Sequence, residues 1–206
     1  AYEIRPRDWS SDVCSSDLSG TRTFAPGETT KTVPVTLIGD DVFEADETVL
    51  LMLSDPSNAT VAAPSATGTI TNDDAAPVVS VTVTSVAEGQ SGVANAVFTV
   101  SLSAASLVTA TVDYTTGSGT ATAGSDFTSV TGTVTFSPGA TVQTITVPVL
   151  GDSAFENDET FTVALSSTAN ATLGVSSAVG TILNDDEAPV LAIRSEEHTS
   201  ELQSRG

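Results

Sequence analysis

The stretch Gly39-Asp40-Asp41-Val42-Phe43-Glu44-Ala45-Asp46-Glu47 returns 112 residues later as Gly151-Asp152-Ser153-Ala154-Phe155-Glu156-Asn157-Asp158-Glu159. At the same offset, without a gap, Phe24-Ala-Pro-Gly matches Phe136-Ser-Pro-Gly, Asn58-Ala-Thr matches Asn170-Ala-Thr, and Asn72-Asp-Asp matches Asn184-Asp-Asp. A fixed period carried by acidic loops and turn residues constrains the chain to a tandem array in which each unit is one small domain.

The two ends share no part of this pattern. Asp8 to Leu18 and Arg194 to Ser204 can be encoded by reverse-complementary DNA that resembles a sequencing adapter in its two orientations. Residues 1–18 and 194–206 are therefore expected to lie outside the fold, as a fusion scar would; the competing reading is two natural polar tails. The exclusion takes with it the only Trp (Trp9), Cys (Cys14) and His (His198). Between residues 19 and 193 there remain 19 acids against Arg22 and Lys31.

Such excess negative charge opposes nucleic acid and anionic lipid as partners, both of which need basic residues, and leaves cations as the natural ones. No apolar run approaches the roughly 20 residues that span a bilayer, so no membrane insertion is expected. Thr, Val, Ala, Ser and Gly dominate, and apolar residues alternate with period two, which reads as all-β. The period and the match of Ala188-Pro189-Val190 to Ala76-Pro77-Val78 divide the chain. Residues 19–75 are read as the C-terminal part of one repeat, 76–187 as a complete repeat, and 188–193 as the start of the next.

In the partial unit, Thr21–Phe24 and Thr30–Ile38 are expected as strands around the turn Ala25-Pro26-Gly27-Glu28, followed by strands at Glu47–Ser54 and Thr67–Thr71. In the complete unit, seven strands are expected: Val79–Val86, Ala94–Leu102, Val108–Thr115, Val130–Phe136, Val142–Leu150, Thr160–Ser166 and Gly180–Leu183. Seven short strands over about 110 residues describe an immunoglobulin-like antiparallel β-sandwich. Tyr114 and Phe127 are assigned to its core. Asn58 and Asn170 fit the glycosylation acceptor pattern but are read as turn residues.

Glu159 shares the parity of Phe161, Val163 and Leu165, so its carboxylate points along the core side at the end of the sandwich. An isolated charge there is costly unless it is paired or coordinated. No Lys or Arg occurs between residues 76 and 193. In this topology Glu88, Asp126, the loop Asp152–Glu159 and the pair Asp185–Asp186 can emerge at one pole, where converging carboxylates repel until a cation reverses the sign. Oxygen ligands alone, without His or Cys, favour Ca²⁺ or Mg²⁺, and the number of acids suits calcium. Phe155 and Phe43 are expected to pin their loops to the core. A solvated acidic rim is the competing reading; the spacing is not that of an EF-hand.

The residues resemble the Calx-beta family, known from sodium–calcium exchangers, an integrin subunit and many bacterial surface proteins. The resemblance rests on Asp113 to Thr116, Gly119 to Phe127, the Phe-Ser-Pro-Gly turn, Gly151 to Glu159 and the closing Gly-Thr-Ile-Leu-Asn-Asp-Asp. It implies calcium ligation by Glu88, Asp126, Asp152, Glu156, Glu159, Asp185 and Asp186, with a backbone carbonyl at Ala154. In the partial unit it implies Asp40, Glu44, Glu47, Asp73 and Asp74. Gly151 and Asn184 stand where well-studied members carry acids, which implies fewer or weaker ion sites.

The leading reading is a non-catalytic calcium-binding repeat of a large extracellular or cell-surface bacterial protein, membrane-anchored or adhesive in its wider context. Its ions would stiffen domain poles and junctions, and its partners would be calcium, neighbouring repeats and an adhesion target that the sequence does not specify. A calcium-sensing regulatory module of a membrane transporter and a passive solubilised spacer are the alternatives. Catalysis by paired carboxylates, as in a glycosidase, is disfavoured because the acids sit in repeats and no His survives the trimming.

Overall fold

The computed structural model describes residues 20–193; the adapter-like segments 1–18 and 194–206 lie outside the described residues. Eleven strands and no helix form among them. They are β1 (Glu47–Met52), β2 (Ser65–Ile70), β3 (Val78–Val81), β4 (Thr84–Ala87), β5 (Gly92–Leu102), β6 (Ala110–Ser118), β7 (Thr131–Phe136), β8 (Val142–Gly151), β9 (Glu159–Ala169), β10 (Thr172–Leu173) and β11 (Ser177–Leu183).

Residues 76–187 form an immunoglobulin-like sandwich of a four-stranded sheet, β10-β3-β5-β8, and a five-stranded sheet, β4-β11-β9-β6-β7. Alternation along the strands supplies the core. Ala96, Phe98, Val100 and Leu102 of β5 and Ile145, Val147 and Val149 of β8 meet Phe161, Val163 and Leu165 of β9 and Ala178 and Ile182 of β11. Phe161 sits at the centre, stacked on Phe127 at 4.8 Å between ring centroids and edge-on to Phe98 at 5.7 Å. Tyr114 packs against this core and Phe127 is fully buried within it.

Two features depart from the strand assignments. The expected first strand, Val79–Val86, is split: β3 pairs with β5, while β4 crosses to the opposite sheet and pairs in parallel with β11. Crossing lets one strand close both layers, but it makes the sandwich antiparallel only in part, since β10 and β3 are also parallel. Thr21–Phe24 and Thr30–Ile38 form no strand. The second of these corresponds to β8, whose ladder partner is β5. No counterpart of β5 exists among residues 20–75, and a strand without a ladder leaves its amides to water.

What residues 20–75 do form reproduces the larger unit. β1 pairs with β2 in the register Glu47↔Ile70 and Thr48↔Thr69. At the offset of 112, β9 pairs with β11 as Glu159↔Ile182 and Thr160↔Thr181. The turn residues Asn58 and Asn170 both adopt positive φ, 57° and 55°. Asn170 donates its Nδ2 to the Thr109 carbonyl at 2.8 Å, which commits that amide to tying the turn to the residue before β6.

Candidate metal centre

Four segments build the acidic pole of the complete unit. The parallel register ends at Leu183↔Ala87, so the next residues run side by side: Glu88, Gly89 and Gln90 against Asn184, Asp185 and Asp186. The Glu88 N–H donates to the Leu183 carbonyl at 3.3 Å, and the Gly89 N–H to Asp185 Oδ1 at 3.2 Å. Asp126 arrives beside the buried Phe127, and its Oδ2 accepts the Thr122 N–H at 2.6 Å. Glu156 and Glu159 come from the β8–β9 loop and the start of β9.

The expected ligands fall into two groups of three among the described residues, each with oxygens within 4.8 Å of one another: Glu88, Asp185 and Asp186, and Asp126, Glu156 and Glu159. The groups share one field. Glu88 is held above the ordinary carboxylate range, first by burial and then by Glu156, Asp152, Asp186 and Asp185. Glu159 is pushed up to about 7 by burial, by its hydrogen bond with Asp126, and by the charges of Asp126, Glu156 and Glu88. Asp152 joins neither group; its Oδ1 accepts the Ala154 N–H at 2.7 Å and shapes the loop. Ala154 itself is exposed.

In residues 20–75, Asp40, Glu44, Glu47, Asp73 and Asp74 line one cleft of about 320 Å³. They form no group of three comparable to those of the complete unit among the described residues.

The donor set fits a hard divalent cation. Glu88 is only 6% exposed, Asp186 Oδ2 is buried without a hydrogen-bond partner, and no basic residue lies between 76 and 193. Burying unpaired carboxylate oxygens is costly, and an oxygen-coordinated ion removes that cost.

Several residues essential to this geometry were not among the sequence-derived candidates. Asn184 Oδ1 accepts the Glu156 N–H at 3.0 Å, its Nδ2 donates to the Asp186 carbonyl at 3.0 Å, and its N–H reaches Asp158 Oδ1 at 3.1 Å. Asn72 repeats all three bonds, with the Glu44 N–H at 3.2 Å, the Asp74 carbonyl at 3.1 Å and Asp46 Oδ1 at 2.9 Å. The Val42 N–H on Asp40 Oδ1, at 2.8 Å, repeats the Ala154–Asp152 bond. The repetition of Asn72-Asp-Asp as Asn184-Asp-Asp is the trace that these clamps leave in the sequence.

Phe155 does not pin its loop to the core, for it is 49% exposed. Phe43 is half-buried, and its carbonyl accepts the Leu107 N–H at 3.0 Å and the Ser106 hydroxyl at 3.1 Å. The acidic loop of the first segment thus touches the loop between β5 and β6 of the second.

A sandwich whose pole gathers carboxylates from three loops and from the segment after β11 defines a β-sandwich module with acidic groups that could hold a cation. The chain belongs to the Calx-beta family: the Calx-beta domain model matches residues 16–75 and 72–187. Among solved structures it is similar to the apo form of the Calx CBD1 domain, at 29% identity over 53% of this chain and 98% of that one, with a TM-score of 0.47. It is also similar to the calcium binding domain CBD12 of CALX1.1, at 32% identity over 55% of this chain and 47% of that one (TM-score 0.47). CBD12 from CALX1.2 matches at 30% identity over 53% and 46% (TM-score 0.48). The chain therefore spans less than half of each CBD12 chain. No curated protein matches it.

Proposed function

We propose that this chain is a non-catalytic calcium-binding repeat, residues 76–187 forming the complete module and residues 19–75 and 188–193 belonging to its neighbours, in a large extracellular or cell-surface protein. The observation that carries this reading is Glu88: a carboxylate that is 6% exposed, faces Asp185 and Asp186, and has no basic residue in its unit. Bound calcium would supply positive charge and oxygen coordination at this pole. Glu88, Asp185 and Asp186 would hold one ion, Asp126, Glu156 and Glu159 a second, and Asp152 and Ala154 would fix the loop between them.

The array reading draws support from Phe43. Its carbonyl is bonded by Ser106 and Leu107, so the acidic loop of one unit is also its connector to the next. Ordering that loop with an ion would stiffen the junction as well as the pole.

Calorimetric titration of the whole chain with calcium, beside an Asp152→Asn, Glu156→Gln double variant, tests the proposal. Binding that is lost or strongly weakened in the variant supports it. No binding by the unaltered chain would reduce the acids to a solubilising rim on a passive spacer.

A further inference from the structure

Gln90 is the one side chain seen to donate to a carboxylate of the Glu88–Asp185–Asp186 group among the described residues. Its Nε2 donates to Asp186 Oδ1 and, at 3.3 Å, to the Asp185 carbonyl. Both partners only accept hydrogen bonds, so the amide nitrogen, and not Oε1, must face them. The placement follows from the backbone. Parallel pairing of β4 with β11 runs on past Leu183↔Ala87, and this brings position 90 opposite position 186. Gly89, at φ 82°, turns the chain so that Gln90 reaches across the rung.

The group it enters is strained by charge. Glu88 is more than nine-tenths buried, no hydrogen-bond donor is seen at its carboxylate among the described residues, and Asp185 and Asp186 offer oxygens within 4.8 Å. Of the two Asp186 oxygens Oδ2 is free of a hydrogen bond, so a cation held by both oxygens of that carboxylate has to displace the donor from Oδ1. Donor and cation supply the same thing, positive potential to one carboxylate, and they compete for the same oxygen.

We propose that Gln90 is a built-in cation surrogate: its amide partly neutralises the Glu88–Asp185–Asp186 group, and it yields Asp186 Oδ1 to a cation held by both oxygens of that carboxylate. Gln90 thereby sets two quantities in opposite directions, the stability of the cation-free module and its affinity for the ion. The second of these rests on the calcium reading above; the first does not.

The test uses the whole chain and two variants, Q90A and Q90K, measured for thermal unfolding in EGTA and for calcium affinity by calorimetry. Ala removes the donor, and Lys replaces a partial charge with a full one. In EGTA, the melting temperature of Q90A is expected to fall by about 2–6 °C and that of Q90K to rise, with the rise fading in high salt. Calcium affinity is expected to strengthen about tenfold in Q90A and to weaken at least as much in Q90K. An unchanged melting temperature for Q90A in EGTA would overturn the surrogate role. Weaker calcium binding by Q90A would overturn the competition and make Gln90 Oε1 a ligand. If none of the three proteins binds calcium, the calcium reading fails, while the melting order in EGTA still decides whether Gln90 supports the acidic group.

Discussion

Gly151 lies against the backbone of Glu88: a Cβ at position 151 would stand 2.5 Å from the Glu88 carbonyl oxygen and 2.1 Å from that of Gly89. These are backbone atoms in a turn strapped to Asp185, so they have little room to give. Gly151 is therefore the floor on which the Glu88 turn rests. Gly151→Asp, which adds a carboxylate to the pole, is expected to destabilise the module by about 1–3 kcal/mol through overpacking. It should also weaken calcium binding. Urea unfolding and a calcium titration check both, and a tighter ion site in the variant would show that the turn can move aside.

Asn184 makes one bond that an aspartate could not make in the cation-free module. Its Nδ2 donates to the Asp186 carbonyl, and a carboxylate in that place has no proton to give. Asn184→Asp is expected to cost about 1–3 kcal/mol in EGTA, from the lost donor and added repulsion. Urea denaturation in EGTA measures it, and calcium should recover part of the loss.

The pole is expected to make the cation-free module more stable in mild acid than at neutral pH. Glu159 is pushed up to about 7 in the folded chain from 4.5, so the folded state holds its proton more tightly than the unfolded state does. That contribution is fully present below pH 4.5 and is lost as pH rises through about 7. Its size is on the order of 1–3 kcal/mol after screening by solvent. Glu88 acts in the same direction. Unfolding in EGTA at pH 5 and pH 8 should show the fall, and Glu159→Gln should flatten it.

Two phenylalanines six residues apart should behave oppositely. Phe155 is 49% exposed, so Phe155→Ala is expected to change the stability of this chain by no more than about 0.5 kcal/mol. Phe161 is fully buried between Phe98 and Phe127, and Phe161→Ala is expected to cost about 3–5 kcal/mol. Because Phe127 carries Asp126 into the pole, the second variant should also weaken calcium binding. Thermal unfolding followed by titration separates the two effects.

The parts of this fold that depend on local pattern were legible in the sequence. Alternation placed Phe98, Val163 and Leu165 in the core, turn chemistry placed Asn58 and Asn170 in turns, where both adopt positive φ, and the period located the acidic loops. Cross-strand neighbours were not legible. A run such as Val79–Val86 alternates identically whether it stays in one sheet or changes sheets, and only pairing reveals the switch at Thr82–Val83. Thr30–Ile38 alternates too, but a ladder partner decides whether such a run becomes a strand. The same limit hid Gly151 and Gln90, whose significance comes from what lies opposite them. Glu88 and Asp186 are 98 positions apart in the sequence, yet a parallel register makes them neighbours.

That parallel register has a mechanical consequence. The chain enters the module just before β3 and β4 and leaves it directly after β11, so a pull on Pro77 and Glu187 drives β11 along β4 in opposite directions. The four rungs Thr84↔Gly180 to Ala87↔Leu183 then bear the load together, where a hairpin pulled from its open end would give up one rung at a time. Asp185 and Asp186 sit at the point where tension leaves the module, and whatever fastens them to Glu88 also fastens the last rung.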